Sequence, residues 1–354
     1  MVKKFDLWAF GDAHVGTDLS FGRKSLEEAI IQSESGSGFN WDIAIDAGDM
    51  SGGQDVPQDE EGISIKEQFK ALKKHKREEI YSVAGNHDRG IPGEEELLWW
   101  RKWIDPMGEY PCCSGVDNSK RPFVVKGNFI RYSFEVGNIL FLMMSDVNEP
   151  SRKIGRGILG GNPGGVVTGE TFNWWKDMVE KHREHVIISV HHYVLKDTTV
   201  ASGKWEGMKK DESGKYISGY HGYKEGGTPE GASYLYWTDS KPDAGYFEKY
   251  LEKNPTCNDL WIGGHTHTNP DDNYGGKTHI ETKWGTHFIN VCALTGYHVR
   301  KTTVPMSRIL SFKHGFDEIL VRCYLHDDRY AQRGFYDPAQ RVLKLRKKID
   351  LGRI

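Results

Sequence analysis

Five short groups of aspartate, asparagine and histidine are spread along the chain, and each comes shortly after an apolar run. Their carboxylate, amide and imidazole groups are donors that proteins use to bind divalent transition metals. Tight turns with hydrogen-bonded caps would account for one or two such groups but not for all five. The groups are Asp12-x-His14, Gly48-Asp49, Gly85-Asn86-His87-Asp88, His191 and Gly264-His265-Thr266-His267.

Glycine comes directly before Asp49, Asn86 and His265. A residue without a side chain lets the backbone turn sharply at the end of a strand and approach an ion closely. If so many polar side chains met at one place without counter-charges, the free-energy cost would be large. A metal site is therefore the hypothesis that best explains these groups together.

Strands and helices alternate along the first 90 residues and determine where these side chains lie. The two helices are each predicted to begin at a capping box, Ser25 with Glu28 and Ser64 with Glu67. Strands that alternate with helices favour a parallel sheet, in which ligand sites lie beyond the carboxyl ends of the strands. We expect the polar groups to meet at that edge. The three predicted strands are FDLWAF, WDIAIDAGD and EIYSVAG.

The rest of the chain continues this pattern and then changes it. Further strands are predicted before Asp146, His191 and His265, and the last part of the domain resembles a more antiparallel sheet. We expect one catalytic domain over 1–330 with an insertion at about 195–241, either placed over the site or forming a mobile surface loop. The segment 331–354 is expected to be a basic tail, solvated or in contact with a second copy rather than bound to an anion.

Composition limits the class of protein. The 354 residues carry a formal charge of −3, which gives no general support for binding to nucleic acid or acidic membranes. No apolar run reaches about 18 residues, so a membrane-spanning helix is excluded on length. Five cysteines, of which Cys112 and Cys113 are adjacent, argue against a secreted disulfide framework. We expect reduced cysteines and a cytoplasmic protein.

The order and spacing of the five groups resemble the calcineurin-like metallophosphoesterase superfamily, over residues 12 to 267. The resemblance implies an α/β fold, a four-layer α-β-β-α sandwich of two mixed sheets packed face to face with flanking helices. It also implies two divalent transition metals, with Asp49 bridging them. By this resemblance one metal is held by Asp12, His14 and His267, and the other by Asn86, His191 and His265.

His191 and His192 compete for one ligand position. Neighbouring side chains of a strand point in opposite directions, so only one of the pair can easily face the metals. The resemblance favours His191, and His192 is left with a substrate contact or a packing role. Asp146 is expected either to support the site or to cap a turn, and Tyr220, His221 and Tyr223 are candidates for substrate contact.

The implied reaction is hydrolysis of a phosphate ester by a hydroxide that bridges the two metals and attacks phosphorus in line. His87 resembles the catalytic histidine of the superfamily, which assists the leaving group. Asp88 is expected to orient His87 or to pair with Arg89. Mixed oxygen and imidazole ligands suit Mn, Fe, Zn, Co or Ni, among which the sequence does not choose.

The substrate class is inferred by comparison within the superfamily. The stretches GDMSGG and AGNHDRG depart from the motifs of its serine/threonine protein phosphatases. We favour a phosphodiesterase acting on a small or medium substrate, since the insertion could shape a cleft for groups on both sides of phosphorus. A phosphomonoesterase, a nuclease, a hydrolase of non-phosphate esters and a non-catalytic protein-binding scaffold are the alternatives.

Overall fold

The computed structural model describes residues 2–53, 56–90, 97–147, 165–203, 209–210, 213, 216–217, 233–298 and 301–352. The strands are β1 (Lys4–Phe10), β2 (Ile43–Asp46), β3 (Ile80–Ser82), β4 (Lys126–Gly127), β5 (Arg131–Val136), β6 (Ile139–Met144), β7 (Gly165–Val167), β8 (Val186–Val190), β9 (Lys209–Lys210), β10 (Tyr216–Ile217), β11 (Leu235–Thr238), β12 (Lys241–Pro242), β13 (Leu260–Gly263), β14 (Ile280–Lys283), β15 (Thr286–Asn290), β16 (Tyr297–His298), β17 (Lys301–Thr302), β18 (Met306–Lys313), β19 (Glu318–Leu325), β20 (Gly334–Phe335) and β21 (Arg341–Lys344). The α-helices are α1 (Val15–Ser20), α2 (Ser25–Ser35), α3 (Asp59–Phe69), α4 (Leu98–Trp103), α5 (Pro111–Ser114), α6 (Gly169–Lys181) and α7 (Tyr246–Lys253).

The first large sheet has the strand order β20-β19-β18-β1-β2-β3, and β21 also pairs with β19. The strands β1, β2 and β3 are parallel to one another, whereas β18 and β19 are antiparallel to their neighbours. On β1, Leu7 is paired with Ile43 of β2 on one side and with Leu310 of β18 on the other. The carboxyl ends of β1, β2 and β3 therefore lie at one edge, as the alternation of strands and helices predicts.

The second large sheet has the order β14-β15-β13-β8-β6-β5-β4. Its central strands β6, β8, β13 and β15 are parallel, and β14, β5 and β4 run antiparallel at the two sides. Both large sheets are thus mixed. The ends of β8 and β13 lead directly to His191 and to Gly264, so this sheet also delivers polar side chains at the ends of its parallel strands.

The two sheets pack face to face around a buried apolar core that includes Leu7, Ile45, Phe141, Ile188 and Ile262. Residues of helices α2 and α3 pack with the outer face of the first sheet, and residues of α6 and α7 pack with that of the second. The expected four-layer α-β-β-α sandwich is confirmed. Parallel strands covered on both faces are almost entirely apolar, which accounts for the continuous apolar runs in the sequence.

The start of α3 differs from the prediction. The helix begins at Asp59 rather than at the expected capping residue Ser64, which lies inside it. Three acidic residues occupy its first turn, where negative charge is favourable at the positive end of the helix dipole. At the start of α2, Ser25 does not cap the helix with its side chain; its backbone N–H instead donates to Asp18 Oδ2 at 2.8 Å.

The expected insertion at about 195–241 is only partly within the described residues. Its last part forms β11, which pairs parallel to β7 and antiparallel to β12 in a small three-stranded sheet. Tyr220, His221 and Tyr223, the candidates for substrate contact, lie outside the described residues. Among the described residues, no helix combines the length and apolar character needed to cross a membrane.

The segment expected to be a basic tail is integrated into the sandwich. Strand β21 pairs antiparallel with β19, and Leu343 and Leu345 are buried in the core between the sheets, as are Ile349 and Leu351. The exposed Lys344 and Arg346 alternate with these leucines. The alternation is typical of an edge strand, but the high charge of the segment favoured the prediction of a solvated tail.

This packing gives a test of the C-terminal segment. We expect Leu351→Ala, at a fully buried position, to lower the free energy of unfolding by about 2–5 kcal/mol. Val342→Ala on β21, where the side chain is 62% exposed, is the control and should change it by roughly 0.5 kcal/mol or less. Urea unfolding of both variants measures the difference; equal effects would contradict the burial of this segment.

Candidate metal centre

The site lies where strands β1, β2, β3, β8 and β13 end. Backbone φ angles between 39° and 69° occur at five of the polar residues that follow these strands. The left-handed region is uncommon for residues other than glycine, and such strain persists where the surrounding structure enforces it. It turns the side chains into the space beyond the sheet edges. The five residues are Asp12, His14, Asp49, His265 and His267.

One group of donor atoms is formed by Asp12, His14 and His267. The Nε2 atom of His267 lies 3.0 Å from Asp12 Oδ1 and 3.0 Å from His14 Nε2. His14 Nε2 is 3.8 Å from the same Asp12 oxygen. Asp12 and His14 are fully buried, and the three donor atoms converge closely enough to share one cation.

A second group is formed by Asp49, His192 and His265, whose donor atoms lie within 4.8 Å of one another. Asn86 adds an amide oxygen, because its Oδ1 lies 3.2 Å from His192 Nε2. Asp49 lies between the two groups: its Oδ2 is 3.1 Å from His192 Nε2 and 3.6 Å from His14 Nε2. One carboxylate oxygen can therefore contact two cations.

The structure corrects the choice between the adjacent histidines. It brings His192, and not His191, to Asp49 and Asn86. His191 lies behind the site, where its Nδ1 is 3.0 Å from the backbone N of Tyr193 and its Nε2 is 3.8 Å from Asp146 Oδ1. Strand β8 ends at Val190, before both histidines, so the alternation of side chains along the strand no longer determines which one faces the site.

Three imidazole rings of the site are oriented by backbone carbonyls of one short segment, residues 47–53, which follows β2. The Nδ1 atoms of His192, His14 and His87 lie 2.8, 3.1 and 3.0 Å from carbonyl oxygens of that segment. A carbonyl only accepts hydrogen bonds, so each Nδ1 carries the proton and each Nε2 is left for the site. The accepting carbonyls belong, in the same order, to Ala47, Ser51 and Gly53.

His87 lies at the side of the two groups. A donor atom of its ring is within 4.8 Å of donor atoms of His14 and Asp49, and its ring packs edge-on against that of His14 at 4.5 Å. Its backbone N–H donates to Asp49 Oδ1 at 2.7 Å. The His87 ring thus lies beside both groups of donor atoms.

Within the described part of the chain, Asp88 has no direct hydrogen bond with His87 and no ion pair with Arg89, the two contacts expected for it. Its buried carboxylate accepts hydrogen bonds from three backbone N–H groups, those of Asp49, Ser51 and Gly85, at 2.8 to 3.0 Å. Burial and the charge of Asp49 raise the pKa of Asp88, whereas the N–H donors favour its ionised form. Asp88 therefore fastens the 47–53 segment to the loop after β3.

Arg89 pairs instead with Asp146, at 3.2 Å between Nη2 and Oδ2, and donates to the carbonyl of Val147. Asp146 also accepts from the backbone N–H of Val166 at 2.6 Å. With His191 beside it, Asp146 supports the backbone behind the site, which agrees with the first of its two expected roles.

Electrostatics at the centre favour a positive charge. Burial alone would raise the pKa of Asp49, but His192 and His14 outweigh burial and lower it. Burial lowers the pKa of His192, yet the charges of Asp49 and Asp12 raise it to about 10. A proton on His192 or a divalent cation can supply the charge that these buried carboxylates attract.

Two glycines leave the space that the carboxylates occupy. A Cβ atom on Gly85 would lie 2.2 Å from Asp49 Oδ1, and one on Gly264 would lie 2.3 Å from Asp12 Oδ2. The predicted close approach of the backbone is thus a contact with the ligand carboxylates themselves. With donor atoms converging from two sides on Asp49, the residues present fit a pair of divalent transition metals.

Tyr193 was missed in the sequence. Its hydroxyl donates to Asn86 Oδ1 at 3.1 Å, and its ring packs against that of His265 with centroids 4.1 Å apart. The hydroxyl of Tyr193 fixes the side-chain amide of Asn86 so that Oδ1 faces His192. A tyrosine directly after two histidines at a strand end was the available signal.

The role of Asp88 can be tested by replacing its carboxylate with the amide of asparagine. Asp88→Asn replaces one accepting oxygen with an N–H₂ group that faces a backbone N–H donor, so we expect the free energy of unfolding to fall by about 1–3 kcal/mol. Asp177→Asn, exposed on α6, is the control and should change it by less than about 0.5 kcal/mol. Urea unfolding that gives the same value for both variants would refute the role of Asp88.

The chain was compared with known protein families, curated proteins and solved structures. Similar solved structures include a conserved uncharacterized protein, a predicted phosphoesterase, from Streptococcus pneumoniae TIGR4 (10% identity, 97% of this chain and 99% of that chain, TM-score 0.35). Others are Vacuolar Protein Sorting 29 from Cryptosporidium parvum (11%, 96% and 98%, 0.37) and a single mutant of its counterpart from Entamoeba histolytica (12%, 96% and 99%, 0.36). No match was found among curated proteins. The family model described as calcineurin-like phosphoesterase matches residues 5–269, which include all five polar groups, and the chain belongs to this family.

Proposed function

We propose that this protein is a binuclear metal-dependent phosphodiesterase. Family membership supports metal-dependent hydrolysis of phosphate esters. The observation that carries the binuclear proposal is the position of Asp49, whose Oδ2 lies 3.1 Å from His192 Nε2 and 3.6 Å from His14 Nε2. A carboxylate shared by two donor groups can hold two cations close together, as a two-metal mechanism needs.

In this proposal Asp49 belongs to both metal positions. Bound there, two divalent cations would offset the negative charge of the phosphate ester and lower the pKa of the attacking water. The chain holds the rings of His14 and His192 in place through their Nδ1 hydrogen bonds. The cations bound to these rings would therefore have fixed positions against which to orient the ester. The first position would be held by Asp12, His14 and His267, and the second by Asn86, His192 and His265.

His87 is proposed to protonate the leaving group. Its Nδ1–H is engaged with the Gly53 carbonyl, so the ring presents Nε2 to the substrate. In the imidazolium form this nitrogen carries a proton that can pass to the departing oxygen. The backbone N–H of His87 donates to Asp49 Oδ1, and this hydrogen bond fixes the position of His87 relative to the Asp49 carboxylate.

The surface beside His87 has room for an organic substituent of the ester. Gly53, which holds the His87 ring, also lines an open cavity of about 400 Å³ together with Thr17, Glu60 and Glu61. One of the two substituents of a diester would find room there, so the cavity is compatible with the proposed substrate. The two glutamates disfavour a leaving group with further phosphates, and nucleic acid is therefore not the favoured substrate.

The corrected ligand set can be tested by metal content. After loading with Mn²⁺, we expect the wild-type protein to hold two equivalents and His192→Ala to lose about one of them, because one ligand of the second position is gone. His191→Ala is the matched control and should retain both equivalents. Elemental analysis measures the metal content of each protein. Cooperative unfolding of a variant shows that it is folded and that its metal content can be compared. Loss of metal in His191→Ala with retention in His192→Ala would reverse the assignment.

The reaction itself is tested with bis(p-nitrophenyl) phosphate and p-nitrophenyl phosphate. We expect Mn²⁺-loaded protein to hydrolyse the diester faster than the monoester. The His87→Asn variant should keep its metal but show a kcat lower by about 10²- to 10⁴-fold, because the proton donor to the leaving group is lost.

Equal turnover of both esters would remove the diesterase preference. Unchanged kcat in His87→Asn would refute the role of His87. A wild-type protein that takes up no metal would instead indicate a protein-binding scaffold.

A further inference from the structure

Three arginines are buried among the residues that the structure describes, and they differ in how their charge is matched. Arg121 donates to three backbone carbonyls at 2.9 to 3.1 Å. Arg89 pairs with Asp146 at 3.2 Å. The third, Arg308, is 0% exposed, and within the described chain none of its three guanidinium nitrogens has a hydrogen-bond partner.

Arg308 lies on β18, paired with Ala9 and Cys323, and lines a cavity of about 160 Å³. The cavity has a buried floor and an exposed rim. The floor includes Arg308, His279, Ile280 and Ala339, and the rim includes Asp271, Asn273, Thr278, Pro338 and Arg341.

The acidic residues of the rim do not neutralise Arg308. Asp271 accepts hydrogen bonds from two tyrosine hydroxyls at 2.6 Å each, and Asp272 accepts from the backbone N–H of Asn269 at 2.8 Å. Among the described residues, no carboxylate forms an ion pair with Arg308 within 4.0 Å.

Burial shifts the pKa values of other ionisable groups near Arg308 towards their uncharged forms. Burial raises the pKa of the Cys292 thiol to about 12 and that of the Cys323 thiol above its ordinary value, although the Arg308 charge opposes both shifts. Burial, with the charge of Arg308, lowers the pKa of His279 well below its ordinary value. Among the described residues on the floor of the cavity, Arg308 is thus the one whose side chain is ordinarily charged when buried.

A guanidinium stays protonated in proteins, and burying a charge without a partner is among the least favourable arrangements in a folded chain. We propose that this cavity binds a small oxyanion, a carboxylate, phosphate or sulfate group, on the guanidinium of Arg308. Two oxygens of such a group match the planar fork of arginine, and Arg341 at the rim adds positive charge at the entrance.

The cavity is separate from the candidate metal centre, since none of the residues assigned to the two metal positions lines it. Thr268, which follows His267, connects the two places: its hydroxyl lies 2.8 Å from His279 Nε2. The proposal does not depend on the metal-dependent reaction, and either can fail alone.

Sulfate is the first probe, because it is an oxyanion that the proposed reaction does not consume. In titration calorimetry with the metal-loaded protein, we expect Arg308→Met to weaken sulfate binding by at least about tenfold, since a charge-assisted pair is lost. Arg333→Met, exposed and outside the cavity, is the matched control and should leave the affinity unchanged. Equal affinity in wild type and Arg308→Met would overturn the proposal.

Stability separates a binding arginine from a structural one. In buffer without oxyanions, we expect Arg308→Met to keep or raise the Tm, because an unmatched buried charge is removed, whereas Arg121→Met should lower the Tm. Sulfate should raise the Tm of the wild type but not of Arg308→Met. If Arg308→Met fails to fold, or if its Tm falls as far below that of the wild type as the Tm of Arg121→Met does, Arg308 is structural and the proposal fails.

Selenate soaked into crystals of the wild-type protein locates the site without any variant. An anomalous peak beside the Arg308 guanidinium supports the proposal. Selenate density found only at the metal centre, or nowhere in the crystal, overturns it.

Discussion

The structure of the site depends on the segment 47–53 and on the carboxylate that fastens it. This segment carries Asp49 and also the three carbonyl groups that orient the imidazoles of His192, His14 and His87. Asp88 holds the backbone of the segment by accepting from the N–H groups of Asp49 and Ser51. One backbone turn therefore sets the position of the shared carboxylate and the direction in which three rings present Nε2. A shift of this turn would displace all of these groups together.

Such a turn is unfavourable by itself and is maintained by the sheets below it. Asp49 adopts a φ of 61°, and Gly48 before it has a φ of 101° and approaches the backbone of Gly85 closely. Residues in sparsely populated regions cost of the order of 1–3 kcal/mol each, so they persist only where packing leaves no alternative. Here β2 lies between β1 and β3 with every side chain buried. The apolar runs of the sequence thus supply the rigidity that the polar strand ends need.

The alternation of strands and helices allowed the common edge of the parallel strands to be predicted, whereas the two packed sheets were predicted from the resemblance to a family. Most of the polar side chains singled out in the sequence do lie together at the strand ends. Side-chain direction beyond a strand end is not fixed by alternation, and for this reason His192 could not be distinguished from His191 by pattern. Asp88 was missed as a fastening residue because its partners are backbone N–H groups, which no residue type reveals. The tail was misjudged for a different reason: its charges lie on the solvent side of a strand whose leucines complete the core.

Buried charged side chains elsewhere in the fold can be compared by the partners that each one has. Asp88 is matched by backbone N–H donors, Arg121 by backbone carbonyls, and Asp146 by Arg89. These groups are satisfied inside the chain and stabilise a single arrangement of loops. Asp49 differs because its charge is directed, together with four histidines, at a space beyond the strand ends. Since a buried charge needs a partner, the positions where the chain itself supplies too little are the positions where a ligand has a physical reason to bind.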